Sequence, residues 1–191
     1  RNYQGTMGKL IMAICVLFSG FQIYTAVFGV LDAHLQRAVN LAFGLLLIYL
    51  LYPGRSSWSR TTLHPVDLIL GLIATATPIY IIVFYNELVT RAGINTSTDL
   101  LVGLIGIILL IEATRRVVGW PMILVALFFI TYSFLGPYMP GVLAHRGLGW
   151  EELVGHLYFT TEGVFGIPLG VSSTFIFLFI LFGAYLETTG L

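Results

Sequence analysis

Apolar residues fall in long runs separated by short polar breaks, and the length of each run limits what it can be. A helix needs roughly 20 apolar residues to cross the hydrocarbon core of a bilayer. Residues 10–31 hold no charge and meet that length. Residues 38–52 are short, and span only if the turn 32–37 joins them with Arg37 snorkelling. Pro53-Gly54-Arg55-Ser56-Ser57 then breaks the chain, and the loop continues through residues 59–64. Residues 68–85 read as a third span. Residues 86–99 are polar, with Arg91-Ala92-Gly93-Ile94-Asn95 reading as a turn. Residues 100–111 are too short alone, so the fourth span takes in Glu112 and reaches toward Arg115. Residues 117–135 form the fifth, ended by Gly136-Pro137 and Pro140-Gly141, because proline neither continues the helical ladder nor donates to it. Residues 163–186 form the sixth. The pattern predicts an all-α integral membrane protein of about six transmembrane helices, with no internal repeat and no low-complexity segment.

Between the last two spans the period changes. Trp150, Leu153, Val154, Leu157 and Tyr158 share one helical face, while Glu151, Glu152 and His156 lie away from it. This predicts a short amphipathic, interfacial helix lying on the membrane surface. An ordinary loop helix packed on its own bundle fits the same pattern.

Composition agrees with a lipid-facing exterior. Hydrophobic residues make up 58% of the chain and charged residues 9%, against about a quarter charged in a soluble domain. Nine basic and nine acidic residues cancel, so there is neither a basic patch for nucleic acid nor an acidic tail. The lone Cys15 sits in an apolar run and can form no intramolecular disulfide. The first run is too long for a secretory signal and lacks a small-residue cleavage site before a soluble domain. The chain stops at Glu187-Thr188-Thr189-Gly190-Leu191, straight after an apolar run, and is expected to be the N-terminal piece of something longer.

Basic residues set the expected orientation, since cytoplasmic loops are enriched in Lys and Arg. A cytoplasmic N-terminus puts Arg1, Lys9, Arg55, Arg60, Arg115 and Arg116 inside and leaves Arg37, Arg91 and Arg146 outside. Trp58, Trp120 and Trp150 fall near the expected interfaces, as membrane anchors do.

Chemistry-bearing patterns are few. Gly170-Val171-Ser172-Ser173-Thr174 opens like a serine nucleophile motif but lacks the closing glycine. An intramembrane serine protease also needs a histidine base in the bilayer, and His34, His64, His145 and His156 all read as loop residues. No HExxH pair and no metal-ligand spacing is present, so neither an enzyme nor a metal centre is expected. Glu112 precedes Arg115 and Arg116 by three and four residues, so one helical face can pair them. The pair reads either as a charged element of a transport path or as an ion pair that lets a short helix end at the interface, the second being preferred. Glu162, Gly163, Gly166, Pro168 and Gly170 form a second group. It reads as a broken-helix site, or, preferred, as a helix entry whose glycines pack closely on a neighbouring helix. Ser172, Ser173 and Thr174 are expected to hydrogen-bond between helices.

Several of these segments resemble one family. The stretch from Leu110 through Glu112, Arg115, Arg116 and Trp120 to Pro121 is similar to a recurrent segment of fused permeases of tripartite ATP-independent periplasmic (TRAP) transporters, as is Ala144-His145-Arg146-Gly147. The strongest likeness is Thr161-Glu162-Gly163-Val164-Phe165-Gly166-Ile167-Pro168-Leu169-Gly170-Val171-Ser172, continuing through residues 177–187. Together they resemble the TAXI branch, in which the small and large membrane subunits are fused. The resemblance implies a multi-pass protein of the bacterial or archaeal inner membrane. It would be an ion-coupled, commonly sodium-driven, symporter for small organic acids, fed by an extracytoplasmic substrate-binding protein. Residues 1–136 would form a small-subunit-like bracing bundle. Residues 137–191 would form the linker, the interfacial helix and the first helix of the large transport subunit. The family's sodium- and substrate-holding hairpins are expected beyond this segment, in the remainder of the permease, so no ligand residue is assigned and no cofactor is expected. A non-transporting membrane scaffold or assembly subunit is the alternative.

Overall fold

The computed structural model describes residues 3, 5–55, 63–91 and 93–190. Trp58 and the basic residues Arg1 and Arg60 lie outside the described residues. The chain forms α1 (Thr6–Phe28), α2 (Ala33–Leu51), α3 (Pro65–Val83), the short α4 (Tyr85–Thr90), α5 (Ser97–Val117), α6 (Trp120–Leu135), α7 (Trp150–Phe159), α8 (Ile167–Val171) and α9 (Phe177–Thr189). Single 3₁₀ turns at Gly136–Tyr138 and Gly141–Leu143 follow α6, where the glycine–proline pairs interrupt the helix. A π turn at Ser172–Ile176 joins α8 to α9 without a break in the helical rod.

Among the described residues, five helical stretches are long and apolar enough to cross a membrane: α1, α2, α3, α6 with its following 3₁₀ turn, and the α8–α9 rod. The fourth expected span, α5, is 21 residues long and carries charged residues near both ends. It runs antiparallel to α3 along the length of that helix. Asp67 at the start of α3 meets Arg116 at the end of α5, and Tyr80 near the end of α3 donates to Asp99 at the start of α5 at 2.6 Å. The protein is an all-α, multi-pass membrane protein.

Helix limits follow local chemistry. Gly29 and Gly119, with φ of 111° and 97°, stop the ladder after α1 and before α6, so α1 ends before the apolar run 10–31 does and α6 begins inside the run 117–135. The turn 33–37 does join α2, as that span required, but Arg37 does not snorkel; it reaches across to the loop before α8. Thr96 and Asp99 make a reciprocal capping box, so α5 starts inside the stretch that reads as polar.

The core lies among α2, α3, α5 and α7. Leu45 and Tyr49 of α2, Ala74 and Ile81 of α3 and Ala113 of α5 are buried with Tyr158 and Phe165. Thus the segment after residue 137 shares one core with the helices before it. The amphipathic α7 packs on its own bundle: Leu153, Val154 and Tyr158 are buried, while Trp150 stays exposed. Gly103 and Gly106 of α5 make room for it, since a Cβ at Gly103 would approach Phe159 and Val154 to 2.9 Å and one at Gly106 would strike the Tyr158 ring. The Tyr158 hydroxyl donates to Thr77 at 2.6 Å, tying α7 to α3. By contrast α1, α6 and α9 carry mostly exposed apolar side chains, as helices against lipid do.

Candidate functional site

The first site closes the end of α5. Glu112, Arg115 and Arg116 sit at helical spacing on one face, and the expected pairing is made. Arg115 forks onto Glu112, Nε to Oε2 and Nη2 to Oε1 at 2.7 Å each, and Nη2 also donates to the Gly54 carbonyl at 2.8 Å. Arg116 donates from Nε to Glu112 Oε1 at 2.9 Å and from Nη1 to Asp67 Oδ1 at 2.8 Å. Its Nη1 also reaches the Tyr52 carbonyl at 3.2 Å. The guanidinium lies 4.4 Å from the centre of the Tyr49 ring, and the Tyr49 hydroxyl donates to the Leu109 carbonyl at 2.8 Å. The Asp67 and Arg116 side chains are 0% and 2% exposed, whereas Glu112 and Arg115 are 27% and 30% exposed.

Two carboxylates and two guanidiniums therefore sum to zero charge and join three helix ends. Gly54 is a close approach: a Cβ there would lie 2.8 Å from Arg116 Nη2. The arginine donors point to helix-end carbonyls and to these carboxylates, so what the arrangement does is fasten α2, α3 and α5. Asp67 and Tyr49 are the members that sequence reasoning missed. Asp67 falls one residue before the third apolar run and reads as an ordinary acid in a helix's first turn. The available signal was its sign: it lies at the same expected membrane face as Arg115 and Arg116.

The second site surrounds the start of the α8 rod, and the structure separates the residues grouped there by sequence. Glu162 is exposed and faces His156 at 3.8 Å rather than lining a cavity with the glycines. Gly166 is the N-cap of α8, and a Cβ on it would meet the Gly163 carbonyl of its own loop at 2.8 Å. Gly170 does face another helix, but what it meets is charged: a Cβ there would lie 2.8 Å from both Nε and Nη2 of Arg37 on α2. The two glycines therefore do not form a shared packing face. The hydroxyls of Ser173 and Thr174 bond back to the Gly170 carbonyl at 2.9 and 3.0 Å, within their own helix. The interhelical bond is made by the Ser173 carbonyl, which accepts from Gln36 Nε2 at 3.2 Å.

Around this point lies a buried polar layer linking α1, α2 and the π turn. Gln22 donates to Asn40 at 2.7 Å, and Gln36 donates to Thr25 at 3.2 Å. Polar side chains at membrane depth find partners on neighbouring helices, and the amides of Gln22 and Asn40 inside apolar runs were the legible signal. His34, read as a loop residue, lies in α2, and its ring packs on Phe165 at 4.9 Å; His156 lies on α7, the amphipathic helix between the last two spans.

Comparison with protein-family models, with curated proteins and with solved structures finds no match. A functional reading therefore rests on these residues and their geometry.

Proposed function

We propose that the chain is the membrane permease component of a binding-protein-dependent, ion-coupled secondary transporter for small organic anions, of the TRAP type and TAXI branch. In this reading sodium is the coupling ion, the protein sits in the inner membrane of a bacterium or archaeon, and the N-terminus is cytoplasmic. The helices α1 to α6 serve as the brace, and the α8–α9 rod opens the transport subunit.

The observation that supports this reading is where the family-like segment falls. Residues 161–172 make the loop and the interrupted helix start that α2 holds through Arg37 Nη1 to the Phe165 carbonyl at 2.5 Å, and the next residue, Ser173, accepts at its carbonyl from Gln36. Interrupted helices are where transporters build ion and substrate paths, and π turns concentrate at functional sites. The fastening of α2, α3 and α5 favours a static role for that part, which also suits the scaffold alternative.

Uptake by cells expressing the full-length protein with its binding protein separates the two. Accumulation of a labelled organic acid that needs a sodium gradient supports the transporter. No uptake of any acid in a broad panel, with the protein correctly inserted, refutes it in favour of a scaffold.

A further inference from the structure

The linker between α6 and α7 is built around His145, which neither site above uses. Pro137 has no N–H to give the Ser133 carbonyl one helical turn before it, and the last carbonyls of a helix need donors from outside it. Residues 143–148 fold back onto the end of α6 and supply them. Leu148 N donates to the Ser133 carbonyl at 2.9 Å, and His145 N donates to the Gly136 carbonyl at 3.2 Å. From α6 the Tyr132 hydroxyl donates to the Leu143 carbonyl at 2.9 Å.

The His145 ring sits at the centre of this clasp. It packs against the Tyr132 ring with centres 4.8 Å apart, in space that exists because residue 136 is glycine: a Cβ there would strike the imidazole. Gly147 turns the chain with φ of 75°, and a Cβ on it would come within 2.8 Å of Pro137 Cδ. The turn brings the Gly147 N–H to His145 Nδ1 at 3.1 Å, while Nε2 lies 3.2 Å from the Tyr132 carbonyl. These partners leave the ring one protonation state. A backbone N–H can only donate, so Nδ1 keeps its lone pair; a carbonyl can only accept, so Nε2 carries the proton. The closed clasp therefore holds a neutral imidazole in its Nε2–H form. A second proton, on Nδ1, would set N–H against N–H, break the Gly147 bond and release the turn.

The surroundings offer an imidazolium no compensation. The titratable groups on α6 and on the 3₁₀ turn after it are Tyr132 and Tyr138. On the linker itself Arg146 adjoins the histidine and is a cation, and the acid it meets, Glu152 of α7, is taken up by that pair. We infer that His145 is a pH-sensitive clasp: neutral, it locks the linker onto the end of α6; protonated, it lets the linker go. Closure and protonation compete for Nδ1, so the clasp holds above the range in which histidine ordinarily titrates and weakens as the pH falls through that range. On the proposed N-in map this loop faces the exterior, so external acidification is the signal; the bonds of the clasp stand whichever side it faces.

Hydrogen exchange of the purified full chain in lipid nanodiscs, corrected for the intrinsic pH dependence of exchange, reads the Gly147 and Leu148 amides. Between about pH 7.5 and about pH 5.5 their protection should fall roughly tenfold, while amides in the middle of α5 hold steady. His145→Ala should show the low protection at both pH values, with no step between them. His156→Gln, which alters the exposed histidine beside Glu162 on α7, should keep the wild-type step. Nitrogen NMR of the histidine rings in the wild type gives a readout that needs no variant to fold: at neutral pH the His145 Nε2 should be protonated and Nδ1 bare. An Nδ1–H form at neutral pH overturns the proposal, as does Gly147 protection that ignores acidification or a step that persists in His145→Ala.

Discussion

Replacing Asp67 by Asn removes one charge from a pair whose side chains are 0% and 2% exposed, while leaving the packed volume nearly unchanged. Arg116 then retains Glu112 Oε1 at 2.9 Å, the Tyr52 carbonyl at 3.2 Å and the Tyr49 ring at 4.4 Å. Removing one partner of a buried ion pair costs about 3–5 kcal/mol. The contacts that survive put Asp67→Asn at the low end, about 3 kcal/mol. Glu112→Gln is the internal comparison. Glu112 and Arg115 are 27% and 30% exposed, so solvent screens that half of the cluster and the loss falls to about 1 kcal/mol. The double variant Asp67→Asn/Arg116→Met removes the stranded cation as well and should recover most of the stability, because apolar groups of similar volume replace buried pairs at little cost. Unfolding in mixed detergent micelles, followed by tryptophan fluorescence, gives the four stabilities. Asp67→Asn with wild-type stability but no uptake by the full-length protein would refute the fastening role and place the cluster in a transport path.

Gly106→Val drives two methyls into the Tyr158 ring and should cost about 1–3 kcal/mol, seen as loss of monodisperse protein in size-exclusion chromatography; Ile108→Val, on the exposed side of α5, should change nothing. Tyr158→Phe deletes the 2.6 Å bond to Thr77 inside the core and should lower stability by about 1 kcal/mol in the same unfolding assay. For topology, single cysteines at Arg55 and Arg146 in a Cys15→Ser background should label from opposite sides of the membrane, Arg55 from the cytoplasm. Labelling of both from one side would overturn the predicted membrane map.

The run lengths by themselves determined an all-α membrane protein and nearly every span, because a bilayer admits only segments long enough to cross it and able to satisfy their own backbone. Spacing also determined that Glu112 pairs with Arg115 and Arg116, since residues three and four apart share a helical face whatever surrounds them. Partners distant in sequence were another matter. Asp67 and Arg116 are 49 residues apart, and only the antiparallel docking of α3 on α5 brings them together. The apolar face of α7 announced that something covers it, but not what. Gly103 and Gly106 decided that, by opening a groove on α5 deep enough to take Tyr158. Gly166 and Gly170 marked a place of close approach and suggested helix against helix. Tertiary structure put the Arg37 guanidinium there instead, because α2 enters the bundle beside the α8 rod with that residue turned toward its start. Periodicity is a property of one helix and is fixed locally. Which faces meet depends on how several helices fill space together, and that is settled only when the bundle packs.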